Sequence, residues 1–217
     1  MAQQDRNAAG ASARREYERR QARDEARIRD RWGHGKLGNI AVALSDERQS
    51  TAAWKTGADG EARVGAALDS IASPDVAVVH DRRVPGSRAN IDHIVVTRGG
   101  VWVIDTKRYR SKRPALRVEG GLLRPRVEKL VVGGDRTALV DGVLRQRDLV
   151  AAVVGPVPVL ASLCFVDADW PLFGGSFTTR GVLVCWPQKL VARLGAGQGE
   201  VDVPAVAAAV AARFPRA

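Results

Sequence analysis

Cysteine is scarce in this chain: Cys164 and Cys185 are the only two in 217 residues. Each lies in an apolar run without metal-ligand spacing, and two thiols cannot build a disulfide framework. Both read as small core residues of a reduced, cytoplasmic protein. Histidine is nearly as rare; His34, His80 and His93 are scattered with no nucleophile paired to them. That argues against acyl transfer and for structural roles. No run approaches the roughly 18 uninterrupted apolar residues of a membrane span, and the polar, Arg-rich N-terminus does not read as a signal peptide. Gly33, Gly35 and Gly38 lack the preceding strand that a dinucleotide-binding loop needs. No internal repeat is visible.

Acid is in short supply relative to base. Lys and Arg number 34 against 24 Asp and Glu, for a formal net charge of +10. The excess is local: residues 81–130 hold 13 Lys/Arg and five acids, a surplus of eight positive charges. Such a surface favours an anionic partner, nucleic acid ahead of a membrane face. The plainer alternative is a solvated basic face. Arg82, Arg83, Arg88, Arg108, Arg110, Lys112 and Arg113 are the candidate phosphate contacts.

What remains is ordinary for a globular protein: 45% hydrophobic and 27% charged residues, enough to bury a core. Residues 1–10 read as disordered. Residues 11–31 carry eight Arg and five acids without an apolar stripe, a solvated charged helical arm. Glycines at 33, 35 and 38 then mark a linker. The division expected is an arm and linker over residues 1–52 and a main domain over 53–217. Val64, Ala67, Leu68 and Ile71 have helical spacing, with Thr56 and Asp59 as candidate caps. Val76–Val79, continuing toward Val84, reads as a strand. Ile91–Thr97 and Val101–Thr106 are β-rich runs, with Gly99-Gly100 between them as the expected two-residue hairpin turn. A smaller hairpin is expected around Gly120-Gly121. Helical period returns from about Asp135 to Val154. Val157–Val166 and Gly181–Cys185 suit buried strands, and helices are expected at Pro187–Leu194 and Pro204–Phe214. The order predicts an α/β fold with a mixed central sheet flanked by helices.

A turn at Gly99-Gly100 makes Asp92 face Lys107 and Ile94 face Asp105. Alternation then puts Asp92, Asp105 and Lys107 on one face of the hairpin, with His93 and Trp102 on the other. Two acids in strands otherwise so apolar call for a reason. Carboxylates about 5 Å apart repel by roughly 3 kcal/mol at an effective dielectric near 20. A divalent cation would relieve that repulsion, and Lys107 would do so in part. Hard oxygen ligands without Cys or His suit Mg²⁺ or Mn²⁺, whose chemistry on phosphodiesters is water activation and charge neutralisation. The bland reading is a cross-strand salt bridge of little energetic weight. Glu61 lies near the edge of the buried face of its helix, able to aim at a metal or simply to favour the helix dipole. Gln146 sits beside the apolar face of its own helix, as a boundary residue or as a contact to phosphate or attacking water.

These residues carry a family resemblance. Gly57-Ala58-Asp59-Gly60-Glu61, Asn90-Ile91-Asp92-His93-Ile94-Val95-Val96 and Val101-Trp102-Val103-Ile104-Asp105-Thr106-Lys107, followed by Gln146, resemble the nuclease-related domain (NERD) family of the PD-(D/E)xK phosphodiesterase superfamily. The resemblance spans about residues 54–166. It implies a restriction-endonuclease-like core of helix, three antiparallel strands, helix and strand. It implies Glu61, Asp92 and Asp105 as metal ligands and these three with Lys107 and Gln146 as the catalytic set. It further implies a Mg²⁺- or Mn²⁺-dependent nuclease hydrolysing nucleic acid, with DNA the expected substrate. Ile91 stands where many superfamily members have Pro, and Asp105 where this family more often has Glu. The alternative is a non-catalytic nucleic-acid-binding module with a degenerate nuclease site.

Overall fold

In a computed structural model of the chain, the described residues are 49–217 except 88, 122 and 123, together with Arg19. The helical arm expected over residues 11–31 lies outside them apart from Arg19. Helix α1 (Gln49–Asp69) starts well ahead of the expected caps. Ala52, Ala53 and Ala58 continue a helix without cost, and no Pro interrupts it. Asp59 therefore lies within the helix rather than capping it.

Three antiparallel strands follow: β1 (Val76–Arg83), β2 (Asn90–Thr97) and β3 (Gly100–Arg108). A separate two-stranded sheet comes next, β4 (Ala115–Gly121) with β5 (Arg124–Val131). Then come α2 (Thr137–Val154), β6 (Val159–Val166), β7 (Phe177–Thr179), β8 (Val182–Cys185), α3 (Pro187–Gly195) and α4 (Val203–Arg213). The main sheet has the order β1-β2-β3-β6-β8-β7. β6 runs parallel to β3, and β8 parallel to β6. The remaining neighbours are antiparallel, so the sheet is mixed as expected.

The sheet is covered on both faces. Ile94, Val96, Val101 and Val103 pack with Val140, Val143 and Val150 of α2 and Val210 of α4. Val95, Trp102 and Ile104 pack on the other face with Val64 and Leu68 of α1 and Leu190 and Leu194 of α3. Burial on both sides explains why these strands read as continuous apolar runs. Cys164 and Cys185 are buried, free, and register partners on neighbouring parallel strands. Burial pushes both thiols up, which suits inert core residues.

The central hairpin is in a different register from the one expected. Thr97 pairs with Gly100, Val96 with Val101 and His93 with Ile104, so the two turn residues are Arg98 and Gly99. Thr97 is buried and its hydroxyl donates to the Gly100 carbonyl at 3.0 Å, which holds it in the ladder. Gly100 lies within the sheet because Pro158 crowds it: a Cβ there would come within 2.6 Å of the Pro158 carbonyl oxygen. The small hairpin also turns later than expected, since Gly121 pairs with Arg124 and the ladder bulges between Glu119 and Gly121. Here Gly120-Gly121 forms a bulged strand end instead of the turn.

Candidate active site

The register differs from the expectation by two residues, so side chains keep their faces. Asp92 keeps the parity of Ile94, and Asp105 and Lys107 that of Val103; all three point to the α2 side. Continuing the observed register sets Asp92 opposite Asp105, where Asp92 had been expected opposite Lys107. Asp105 is 9% exposed, and its Oδ1 accepts from Lys107 Nζ at 2.7 Å. Asp92 Oδ2 accepts from the Thr106 backbone N–H at 2.7 Å. One carboxylate is thus tied to an ammonium and the other to the main chain between Asp105 and Lys107 of β3.

α1 crosses the end of this hairpin. Gly60 allows the approach: a Cβ there would stand 3.3 Å from Arg108 Cβ. The next residue, Glu61, comes within electrostatic reach of Asp81, Lys107 and Asp105. Burial, then Asp81 and Asp105, push its carboxyl up to about 7 against the pull of Lys107. Asp92 is also held well above the usual carboxylate range, first by burial and then by Glu61 and Asp105, with Lys107 and the Thr106 N–H opposing. Burial draws the Lys107 ammonium down, but Asp105, Asp92 and Glu61 outweigh it and the net shift is upward. Gln146, on α2, donates from Nε2 to the Asn90 carbonyl at 3.2 Å. Its Oε1 is buried with no hydrogen-bond partner among the described residues. The five residues marked by the sequence converge on one end of the sheet.

Asp81 joins them, and sequence reading passed over it. It ends the regular part of β1 at φ 50° and is buried. Its Oδ1 accepts from Asn90 Nδ2 at 3.1 Å, and its charge acts on Glu61. The signal that singled out Asp92, an acid inside an apolar strand, was present at Asp81 too.

His80 and His93 are not scattered, while His34 lies outside the described residues. His80 and His93 are register partners with Nδ1 atoms 2.8 Å apart, both fully buried. His80 Nε2 reaches Asp69 at 3.0 Å and His93 Nε2 reaches Thr106 Oγ1 at 3.1 Å. Burial, reinforced by His80, holds His93 well below the usual imidazole range. This chain runs on the α1 face of the sheet, behind the carboxylates, as the alternation placed His93.

The basic residues divide. Arg82 is buried, 5% exposed, so it does not belong to a surface phosphate footprint. Arg108 is engaged by Asp59 at 3.3 Å and Asp167 at 2.7 Å, with only 10% of its side chain exposed. Its strand position inside the α1 crossing makes it a structural cation. Arg88 lies outside the described residues. Arg83, Arg110, Lys112 and Arg113 are exposed; the Arg113–Asp169 pair at 3.3 Å is on the surface and holds little energy.

Among the described residues no group of three or more His, Cys, Asp or Glu is arranged to hold a metal ion. The donor chemistry still fits a hard divalent cation. Three acids gather around one ammonium, and two of them are held protonation-prone by burial and mutual repulsion. Mg²⁺ is commonly held by one or two carboxylates with its remaining positions on water and substrate phosphate. Asp92 and Asp105 are the pair that suits that mode.

Residues 56–128 match the family model of the nuclease-related domain, in accord with the motif resemblance and with a PD-(D/E)xK nuclease-like core. The match takes in Glu61, Asp81, Asp92, Asp105 and Lys107 and ends before Gln146. It points to nucleic acid as the partner. No curated protein and no solved structure matches the chain. No helix among the described residues is long and apolar enough to cross a membrane.

Proposed function

We propose that this protein is a divalent-metal-dependent nuclease that hydrolyses phosphodiester bonds of DNA. The observation that carries this reading is the meeting of Glu61, Asp92 and Asp105 around Lys107 within a nuclease-related domain. Asp92 and Asp105 would hold Mg²⁺ or Mn²⁺, with Glu61 the third carboxylate beside them. When bound, the cation supplies charge neutralisation at the phosphate and an acidified water. Lys107, an ammonium held charged by its acidic neighbours, stabilises negative charge developing on the phosphate oxygens. Glu61, whose carboxyl burial and Asp81 raise to about 7 in the protein without a cation, would accept a proton from the attacking water once a bound cation has drawn it into the carboxylate form. Gln146 offers its open Oε1 to that water while Nε2 stays on Asn90. Arg83, Arg110, Lys112 and Arg113 supply surface contacts to phosphates.

The test is cleavage of plasmid and linear DNA in Mg²⁺ or Mn²⁺ by the wild type beside Asp105→Ala and Lys107→Ala. Metal-dependent cutting that disappears in both variants is expected. Cutting that survives both substitutions, or none by any protein, refutes the reading.

The Lys107–Asp105 contact at 2.7 Å, in which an ammonium already occupies the carboxylate, favours a second reading, a binding module that does not cut. It calls for salt-dependent DNA binding indifferent to metal and to Asp92→Ala.

A further inference from the structure

A cleft with a different chemistry opens beside the candidate active site. It lies past the carboxyl ends of the parallel strands β6 and β8 and encloses about 330 Å³, within the ~300–1,000 Å³ of small-ligand sites. Crevices at the carboxyl ends of parallel strands are the usual binding positions of open α/β sheets. Trp170 and Trp186 line it with ring centroids 5.1 Å apart, and Phe165 lies 6.5 Å from Trp170. Trp186 is half-buried and belongs to neither hydrophobic core. The Trp170 indole N–H is buried without an acceptor among the described residues, although a buried indole N–H usually finds one. Arg63 stands at the rim. α3 begins there too, at Trp186-Pro187, with no side chain capping its first turn, so its positive end faces the same space.

The cleft adjoins the candidate active site. Phe165 is the register partner of Lys107 on the adjacent strand, and neighbouring strands lie about 4.8 Å apart. Asp167 ties the two regions together by pairing with Arg63 from α1 and Arg108 from β3. The loop leaving the cleft carries Leu172 and Phe173, 97% and 92% exposed, the most exposed large apolar side chains among the described residues. Gly175 folds this loop back onto Trp170: a Cβ there would stand 3.2 Å from Trp170 Cε3.

We propose that this aromatic cleft binds an unpaired nucleotide of the substrate strand, the base against Trp186 and Trp170 and the phosphate at Arg63. Aromatic walls bind any base through its flat face, a basic rim tracks the backbone, and both are the ordinary means of single-strand recognition. Bases inside a duplex are already stacked and cannot enter. The inference rests on the nucleic-acid reading above and narrows it to substrates with a single-stranded end or gap.

The experiment uses the full chain in EDTA, so that nothing is cut. Fluorescence anisotropy is measured with a single-stranded oligonucleotide, a duplex with a single-stranded overhang, and a blunt duplex. Trp186→Ala should weaken the first two by about 5- to 150-fold, the range for one stacked base, and leave the blunt duplex within about twofold of wild type. Trp186→Phe should keep most of the affinity, and the single strand should quench wild-type tryptophan emission. Equal effects on all three ligands, no effect on any, or no quenching overturns the proposal. Asp105→Ala is tested for cleavage in parallel with Mg²⁺. Asp105-dependent cutting without a Trp186 effect leaves the nuclease standing and removes the cleft. A Trp186 effect in a chain that cuts nothing does the reverse.

Discussion

The carboxylate of Asp92 on β2 accepts a 2.7 Å hydrogen bond from the backbone N–H of Thr106 on β3. That bond fixes a half-buried acid beside Asp105 and Lys107 at a cost in like-charge repulsion. Asn at position 92 keeps an oxygen for the Thr106 N–H and removes the charge. Asp92→Asn is therefore expected to melt at or above the wild-type temperature while losing DNA cleavage by about 100-fold or more, the scale of losing one charge-stabilising group. Thermal melting and plasmid nicking on the same preparation check both halves.

Lys107 is an ammonium serving three acids. Lys107→Ala leaves Asp105 without its 2.7 Å partner, at a cost of about 1–3 kcal/mol in metal-free protein. The same change removes a competitor for the carboxylates, so Mg²⁺ should raise the melting temperature more in the variant than in the wild type. Cleavage should still fall. Melts with EDTA and with Mg²⁺ measure the difference.

Raised carboxyls and a lowered imidazole give stability opposite slopes with pH. Glu61 is raised to about 7 from 4.5, so the folded state binds its proton more tightly than the unfolded chain does. Its contribution is complete below pH 4.5 and is lost as pH rises through about 7, at most about 3 kcal/mol. His93 is held below 6.5, so its contribution is present above that pH and is lost as the solution is acidified. Asp92 is raised too and gives a slope of the same sign, so Glu61→Gln alone should make the falling slope shallower. Glu61→Gln with Asp92→Asn should expose the His93 slope: a melting temperature that rises with pH toward neutrality in EDTA. A double variant that loses as much stability as the wild type between pH 4.5 and 7 would contradict the assignment.

Gly100 combines φ +138° with the Pro158 carbonyl 2.6 Å from where a Cβ would sit. Gly100→Ala should destabilise the fold by about 1–3 kcal/mol or more and, by separating β3 from β6, reduce cleavage too. By contrast Gly86→Ala, with open space around it, meets only the φ penalty. Denaturant midpoints for the two variants give the comparison.

Much of the fold was legible because both periodicities were clear. The α1 face, β1 to β3, α2, β6, β8, α3 and α4 all lie near their expected positions. β7 was not expected. It pairs with β8 through Arg180-Gly181, both at positive φ, and an Arg in that turn is a weaker signal than Asn or Asp. The turn at Arg98-Gly99 was missed because Gly100 looked like a turn glycine, when its reason for being glycine is Pro158, just ahead of β6 and far along the chain. Asp59 looked like a cap because nothing local told of the helix before it.

Sequence alone determined which faces the strands present, and hence that Asp92, Asp105 and Lys107 share one. Alternation has period two, and a shift of two residues leaves every face unchanged. Sequence also carried the motif order that places Glu61 and Gln146 on flanking helices. Only the tertiary structure decided which residues meet across elements: Asp81 beside Glu61, His80 against His93, Arg82 inside and Arg108 held by Asp59 and Asp167. These depend on how α1 crosses the sheet and how β6 lies against β3, contacts between residues distant in sequence that no local pattern encodes. The pairing that opened the site, Asp92 with Lys107, became Asp92 with the Thr106 backbone for the same reason: strand register is settled by packing at both ends of a hairpin, not by its turn alone.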